Sequence, residues 1–149
     1  MKIAIASDHA GEEYKNKIIN HFKEFNITDL SPNNTPYDDY PDYAFKLGEA
    51  VANGEFSIGI LVCGTGIGMS IACNKVKGIR CAHITRVEDA IKAKTHNGAN
   101  VISFGSYLDL NQVYEMVEKF INTTEKPEER HINRINKIIK YESGEYNEL

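Results

Sequence analysis

Short apolar runs alternate with longer amphipathic stretches along this chain, and this alternation predicts parallel β-α-β units. The clearest run, SIGILV at 57–62, is apolar on both faces, as a central parallel strand must be when helices cover both sides of the sheet. Strands are predicted at 2–7, 27–30, 57–62, 80–84 and 100–104. Helices are predicted at 11–25, at 40–53, from the glycine-rich turn to 74, and at 87–96, 110–121 and 125–141. The sequence therefore predicts an α/β fold, with an open, mainly parallel sheet of about five strands between two layers of helices.

The length and composition fit one domain over 1–149, with an acidic tail at 144–149 that we expect to be frayed. Hydrophobic residues form 42% of the chain and charged residues 26%, which argues against a disordered or fibrous protein. The net charge of −4 lacks the basic footprint of a nucleic-acid binder, and no apolar run is long enough to span a membrane. The first residues do not resemble a signal peptide, and the three cysteines lack the paired spacing of a zinc or redox site. We therefore expect a cytoplasmic protein with free thiols and with no nucleic-acid or membrane partner.

Three loops follow predicted strands, which is where ligands bind in such a sheet: SDHAG at 7–11, CGTGIGMS at 63–70 and FGSY at 104–107. In the second loop, Gly64, Gly66 and Gly68 alternate between a buried strand and the start of a helix, so the backbone can approach a ligand and direct N–H groups at it. The alternative is a tight turn that binds nothing. The loop lacks the lysine of a P-loop, and Met69 occupies both the sixth position of a dinucleotide fingerprint and the arginine position of a cysteine phosphatase.

A thiol at the end of a strand, beside a cradle of amides, suits a different chemistry. Cys63 occupies that position, and the amino terminus of a helix favours the thiolate form of a cysteine. The same amides can stabilise an oxyanion that forms nearby. Together, thiol and amides suit proton abstraction next to a carbonyl, through an enediolate. The alternative for Cys63 is a buried small apolar residue, which is the interpretation we favour for Cys73 and Cys81.

Other polar residues have both a structural and a functional interpretation. Asp8 can cap the helix that follows the first strand, with a solvated histidine next to it, and the pair at 96–97 can cap the helix that precedes it. Tyr40 can be a packing aromatic. A last group lies within about one helical turn, where one face can either grip a phosphate or simply be solvated: Arg130, His131 and Arg134.

Taken together, these segments resemble one family, ribose-5-phosphate isomerase B. The resemblance rests on KIAIASDHAG, DYPDYA, ILVCGTGIGMSIACNKVKGIR, HNGANVISFGS and RHINRI, which occur in that order over 2–138. Galactose-6-phosphate isomerase subunits share the glycine loop. The resemblance implies a Rossmann-like three-layer α/β/α sandwich, an isomerase of ribose 5-phosphate and ribulose 5-phosphate, and no cofactor or metal. It also implies a homodimer or a dimer of dimers, whose active sites form at the interface.

The resemblance also implies roles for individual residues. Cys63 would be the base that moves a proton between the first two carbons of the sugar, and Thr65 would assist proton transfer to the substrate oxygens. His96 would open the furanose ring, with Asp8 nearby, and its loop would cross from the partner chain. The implied phosphate ligands are His9, Arg130 and Arg134, and the implied sugar contacts are Tyr40 and Asn97. The implied cradle around the enediolate is made of the amides of Gly66, Ile67, Gly68, Met69 and Ser70, and Gly64 is a further implied substrate contact.

Two positions distinguish this chain within the resemblance. Members without the cysteine carry an acid later in the glycine loop, where this chain has Met69, so Cys63 is left as the base. Many members have an arginine after FGS, where this chain has Tyr107, and this removes one cation from the expected phosphate site. Two other functions therefore remain open. One is an isomerase of a hexose 6-phosphate of the allose or galactose type, and the other is a non-catalytic sensor that binds a sugar phosphate without turnover.

Overall fold

The computed structural model describes residues 1–148 and contains a parallel sheet at its centre. Its five strands are β1 (Ile3–Ser7), β2 (Ile27–Asp29), β3 (Ile58–Cys63), β4 (Cys81–His83) and β5 (Val101–Gly105). The strand order is β2-β1-β3-β5-β4, and each pairing in this sheet is parallel. The predicted parallel sheet is confirmed, and the SIGILV run forms its central strand.

Six helices of residues 1–148 connect and cover the strands: α1 (Glu12–His21), α2 (Tyr40–Ala52), α3 (Ile67–Cys73), α4 (Val87–Thr95), α5 (Leu110–Asn122) and α6 (Glu129–Glu142). Short 3-10 turns at His9–Gly11 and Lys23–Phe25 flank α1. None of the helices in this part of the chain combines the length and the apolar character that a membrane crossing requires.

The two faces of the sheet form two separate hydrophobic cores, as alternation along each strand requires. On β1, Ile3 and Ile5 point into a core shared with α1, α4 and α5, whereas Ala4 and Ala6 point into a core shared with α2 and α3. The second core also contains Cys73 and Cys81, which are buried and free, as their interpretation as small apolar residues predicts. The predicted three-layer α/β/α sandwich is therefore confirmed.

Two predicted helices were too long. The first ends at His21 and not at residue 25, because Phe22 leaves the helical conformation (φ −115°, ψ 48°) and Asn26 is left-handed at φ 52°. The last begins at Glu129 and not at residue 125, because Pro127 disfavours helical backbone in the residue before it and Glu128 is extended at ψ 159°.

The predicted frayed tail lies only partly within the described structure. Residues 145–148 have no regular secondary structure, and Glu148 forms an ion pair with Lys137 at 3.4 Å. Leu149 lies outside the described residues.

Lys15 on α1 is a buried cation that ties the helix to the segment after β2. Only 1% of the residue is exposed. Its Nζ donates to the carbonyl oxygen of Ser31 at 2.6 Å and to Oδ1 of Asn34 at 2.9 Å, and it lies 3.2 Å from a carboxylate oxygen of Asp29. A buried ammonium is tolerated only when its donors are paired, and here each of these acceptors lies on the 29–34 segment. Lys15 therefore fixes where this segment runs over the sheet.

We predict that Lys15→Met lowers the free energy of unfolding by about 2–4 kcal/mol, because the apolar side chain leaves the buried acceptors of the 29–34 segment without a donor. Urea denaturation followed by circular dichroism measures the loss. The matched control is Lys17→Met on the same helix, since Lys17 is 46% exposed and pairs with the exposed Glu13. Equal stability of the two variants would contradict the structural role of Lys15.

Candidate active site

The carboxyl ends of three adjacent strands bring the predicted loops together. Ser7 at the end of β1 pairs with Val62 of β3, and Cys63 at the end of β3 pairs with Gly105 at the end of β5. The SDHAG, CGTGIGMS and FGSY loops therefore leave the sheet side by side. We call this edge the thiol edge, defined by Asp8, His9, Cys63 and the glycine loop over 64–70.

The Cys63 side chain is held at the start of α3 by a backbone donor. The thiol is 5% exposed, and the N–H of Gly66 donates to its Sγ at 3.1 Å. Gly66 is left-handed at φ 81°, and a Cβ there would lie 2.6 Å from the backbone of Phe104 on β5. Ser103 donates its hydroxyl hydrogen to the Gly66 carbonyl at 2.9 Å. Only glycine fits, and this close packing aims the Gly66 N–H at the sulfur.

The amides of the glycine loop are not equivalent. Besides the N–H of Gly66, the N–H of Ile67 donates to the Thr65 hydroxyl at 3.2 Å and that of Ser70 donates to the Gly66 carbonyl at 3.2 Å. Gly68 and Met69 lie in the first turn of α3, where a helix leaves N–H groups without an intrahelical acceptor. Of the amides predicted to form the cradle, at residues 66–70, those of Gly68 and Met69 have no acceptor within the loop.

Side chains from neighbouring segments border the glycine loop. The ring of Tyr40, the first residue of α2, lies against Gly68, where a Cβ would be 2.5 Å from the ring. Tyr107 folds over Gly105 in the same way and is 64% exposed. Thr65 is exposed, and its carbonyl accepts a hydrogen bond from Nε2 of His83 on β4 at 2.9 Å. By contrast, Gly64 has space around it, since a Cβ there would be 3.9 Å from the nearest side chain.

Asp8 caps the 3-10 turn after β1, which is the structural alternative that the sequence left open. Its Oδ1 accepts hydrogen bonds from the N–H groups of Ala10 at 3.0 Å and Gly11 at 3.2 Å. Burial raises the pKa of Asp8 above its usual value, although these two N–H donors oppose the shift. Asp8 therefore supports the loop that carries His9.

His9 is paired with an acid that the sequence analysis did not single out. Its Nδ1 lies 2.7 Å from Oδ1 of Asp38, and the ring is 46% exposed. This hydrogen bond raises the pKa of His9. Burial raises the pKa of Asp38, but hydrogen bonds from Asn34, His9 and the backbone outweigh it, so this pKa lies well below its ordinary value. Asp38 lies in an irregular loop, where no spacing rule signals a contact 29 residues away.

His96 and Asn97 lie at the opposite edge of the sheet, where the amino ends of the strands lie. They follow α4 and precede β5, whose last residue is the one that pairs with Cys63. Since β5 extends from Val101 to Gly105, about 13 Å of strand separates its two ends. Within one chain, the length of β5 therefore separates His96 from Cys63.

The predicted phosphate ligands on α6 accompany His96 and not Cys63. The rings of His96 and His131 stack with 4.3 Å between centroids, beside a cleft of about 430 Å³. Arg130 and Arg134 are exposed on the same helix, and Arg130 pairs with Glu128 at 3.1 Å. Burial, followed by the charge of Arg130, lowers the pKa of His131. We call this group the cationic cluster: His96, Asn97, Arg130, His131 and Arg134.

Among residues 1–148, no three His, Cys, Asp or Glu side chains are grouped as ligands for a metal ion.

Comparison with known proteins gives one consistent result. The sequence model described as Ribose/Galactose Isomerase matches residues 3–138. The Escherichia coli protein named ribose-5-phosphate isomerase B is 42% identical over 107 residues, which is 70% of this chain and 72% of that protein. The structure of ribose-5-phosphate isomerase B from Clostridium thermocellum superposes with a TM-score of 0.92 at 37% identity, covering 97% of this chain and 99% of the other.

A ligand-bound structure is also similar. Ribose-5-phosphate isomerase B from Mycoplasma genitalium, solved with bound ribulose 5-phosphate, superposes with a TM-score of 0.89 at 40% identity. The match covers 95% of this chain and 96% of that one.

We predict that Gly66→Ala lowers the free energy of unfolding by about 2–4 kcal/mol, because it combines left-handed strain with a clash against the Phe104 backbone. The matched control is Gly54→Ala, since Gly54 has nearly the same backbone angle, φ 83°, but nothing within 4 Å of a Cβ. This control carries the strain alone and should cost about 1 kcal/mol. Urea denaturation of both variants separates the two contributions, and equal losses would show that the Phe104 contact does not constrain the loop.

Proposed function

The chain belongs to the ribose/galactose isomerase family, and on this premise we propose that it interconverts ribose 5-phosphate and ribulose 5-phosphate with Cys63 as the base. The observation that carries the proposal is the environment of the thiol. Cys63 ends the central strand, its sulfur accepts the Gly66 N–H at 3.1 Å, and the first turn of α3 begins beside it. The Cys63 sulfur and a set of backbone donors thus flank a position that a small carbonyl compound can occupy.

In the proposed reaction, the Cys63 thiolate removes the proton from C2 of the open-chain aldose. The electron pair of that C–H bond forms the C1–C2 double bond, and the carbonyl electrons move to O1, which gives an enediolate. The N–H groups of Gly68 and Met69 stabilise the negative oxygen, since preorganised donors act most strongly where charge develops. The thiol then returns the proton to C1, the O2 proton passes to O1, and the O2 electrons form the C2 carbonyl, which gives the ketose. Thr65 assists the transfers between the substrate oxygens.

His9 and the cationic cluster hold the rest of the substrate in this proposal. His9 binds the phosphate at the thiol edge, and Arg130 and Arg134 complete the phosphate site as charged, multidentate donors. Tyr40 and Asn97 contact the sugar. His96 exchanges protons with the ring oxygen and the anomeric hydroxyl, which a histidine can do near neutral pH.

The separation of the two groups supports a shared site in a homodimer or a dimer of dimers. A second copy related by a twofold axis would present its cationic cluster to the thiol edge of the first, and the reverse contact would form a second site. Ile67 and Ile71 on α3 support this proposal, because they are 52% and 60% exposed beside the thiol edge. Such apolar side chains are suited to burial between two copies.

Because Tyr107 replaces an expected arginine, the assay should compare pentose and hexose phosphates as substrates. Its ring lies over Gly105, next to the strand end that pairs with Cys63, and it adds apolar surface where a cation would favour phosphate. Turnover of allose 6-phosphate or galactose 6-phosphate in preference to ribose 5-phosphate would replace the proposed substrate. Binding of sugar phosphates without any turnover would instead support the sensor.

We predict that Cys63→Ala lowers the turnover of ribose 5-phosphate by about 10³-fold or more, because the general base is lost while the phosphate contacts remain. Formation of the ketose is measured directly, and binding of ribose 5-phosphate is measured by calorimetry. The matched control is Cys73→Ala, a buried thiol at the end of α3 beside Cys81, where β4 begins. Turnover by Cys63→Ala within tenfold of the parent would exclude Cys63 as the base.

We predict that mixing inactive Cys63→Ala and His96→Ala chains restores activity. In a twofold dimer, each heterodimer contains one site with both native residues, so random pairing restores about a quarter of all sites. Co-expression of the two chains with different tags isolates the heterodimer, and its turnover is compared with that of each parent. Heterodimers that form but remain inactive would contradict the shared site.

A further inference from the structure

The imidazole of His9 is held at two points by one carboxylate oxygen. Oδ1 of Asp38 lies 2.7 Å from Nδ1 of His9 and also accepts the backbone N–H of His9 at 2.8 Å. The carboxylate side chain is 8% exposed, whereas the imidazole is 46% exposed. Because Nδ1 is used on the buried side, Nε2 is the ring atom that remains to bind a ligand.

The other oxygen of Asp38 is fixed by three donors. Oδ2 accepts hydrogen bonds from Nδ2 of Asn34 at 2.9 Å, from the N–H of Thr35 at 3.1 Å and from the hydroxyl of Tyr43 at 3.0 Å. Tyr43 lies on α2, so the carboxylate joins the 31–39 loop to a helix. With both oxygens occupied, the carboxylate cannot rotate away from His9 without breaking several hydrogen bonds.

The same loop is anchored to the sheet through Asn34. Its Oδ1 accepts a hydrogen bond from the buried Lys15 ammonium at 2.9 Å, and its Nδ2 donates to the carbonyl oxygen of Ser7 at 2.7 Å. Ser7 is the last residue of β1, only two residues before His9. A continuous set of hydrogen bonds therefore runs from α1 through Asn34 and Asp38 to the His9 ring.

From this geometry we propose that Asp38 is a positioning residue that holds His9 as a cation with Nε2 directed at the substrate phosphate. The inference rests on the proposed function, in which His9 binds phosphate. It adds that the 31–39 loop before α2, to which the sequence assigned no functional residue, sets the charge and orientation of that ligand.

The charges around His9 fix the expected direction of the pH dependence. In this chain the ring faces Asp38 and Asp8, and in the proposed dimer it shares the phosphate with Arg130 and Arg134 of the second copy. Both acids favour the imidazolium, so the pKa of His9 is raised and the charged form persists to higher pH than in an ordinary histidine. Loss of Asp38 should therefore weaken phosphate binding first at the alkaline end of the range.

The test compares Asp38→Asn with Asp39→Asn. Asp39 is the adjacent acid, is exposed and caps α2 without a side-chain hydrogen bond, so its variant changes the net charge equally without touching His9. NMR titration of the imidazole signals, with His9 assigned through His9→Gln, gives the midpoint in each protein. Steady-state kinetics with ribose 5-phosphate at pH 7–8.5 give KM and kcat separately.

In the parent protein, we expect the His9 midpoint to lie above about 6.5, the ordinary value for histidine. Asp38→Asn should lower it by about one pH unit and raise KM about tenfold at pH 8, since the charged fraction falls about tenfold per unit above the midpoint. The value of kcat should change less than KM, because Cys63 and its amides are untouched. Asp39→Asn should leave both the midpoint and KM close to those of the parent.

A double-mutant cycle separates positioning from loss of structure. If Asp38 acts through His9, Asp38→Asn should have little effect on KM in a His9→Gln background. An undiminished effect in that background, or an unshifted His9 midpoint in Asp38→Asn, would overturn the inference. A parent midpoint at or below the ordinary value would overturn it even if Asp38→Asn fails to fold.

Failure of the proposed function gives a different result. If the parent turns over none of the sugar phosphates, the isomerase proposal fails, and inorganic phosphate then serves as the probe of His9. Phosphate should still perturb the His9 signals of the parent, and Asp38→Asn should need several-fold more phosphate for the same change. Equal phosphate dependence in the two proteins would overturn the inference about Asp38.

Discussion

The common direction of the strands is the constraint on which this site depends. Because the pairings in the sheet are parallel, the loops that follow strands lie at one edge and those that precede strands lie at the other. Cys63 and His9 belong to the first edge, and His96 belongs to the second. The five residues of β5 hold these two edges about 13 Å apart. A second copy can join the two edges with no change of fold, so topology alone favours a shared site.

The geometry of the thiol depends on the neighbouring strand as much as on its own loop. The carbonyl of Gly66 is held by Ser103 of β5, and the Phe104 backbone excludes any Cβ at Gly66. The carbonyl of Cys63 accepts the N–H of Ser106 at 2.9 Å, just after β5. These contacts fix the loop before a ligand arrives. Donors that are already in place need no reorganisation when charge develops, which is the condition for effective oxyanion stabilisation.

Periodicity predicted the elements that bury side chains but not where they end. The apolar run at 57–62 predicted the central strand within one residue, whereas the predicted start at residue 125 missed the effect of Pro127 on the residue before it. Hydrophobic patterns show which side chains are buried, whereas the backbone angles of single residues set where a helix begins and ends.

The candidate site likewise has one part that the sequence predicts and another that it does not. The glycine loop and Cys63 are contiguous in sequence, so their proximity could be predicted from a strand-to-helix turn. The contact of Asp38 with His9 and the pairing of the buried Lys15 depend on the path of an irregular loop, which no local pattern specifies.

The two edges also differ in charge: acids lie beside His9, whereas Arg130 and Arg134 accompany His96 and His131. Burial, followed by the charge of Arg130, lowers the pKa of His131, which favours its neutral form beside the two arginines. Of the residues that define the thiol edge, His9 has the side chain that can carry a positive charge, and Asp38 stabilises that charged form. In the proposed dimer, charge and strand direction therefore both favour contact between the thiol edge of one copy and the cationic cluster of the other.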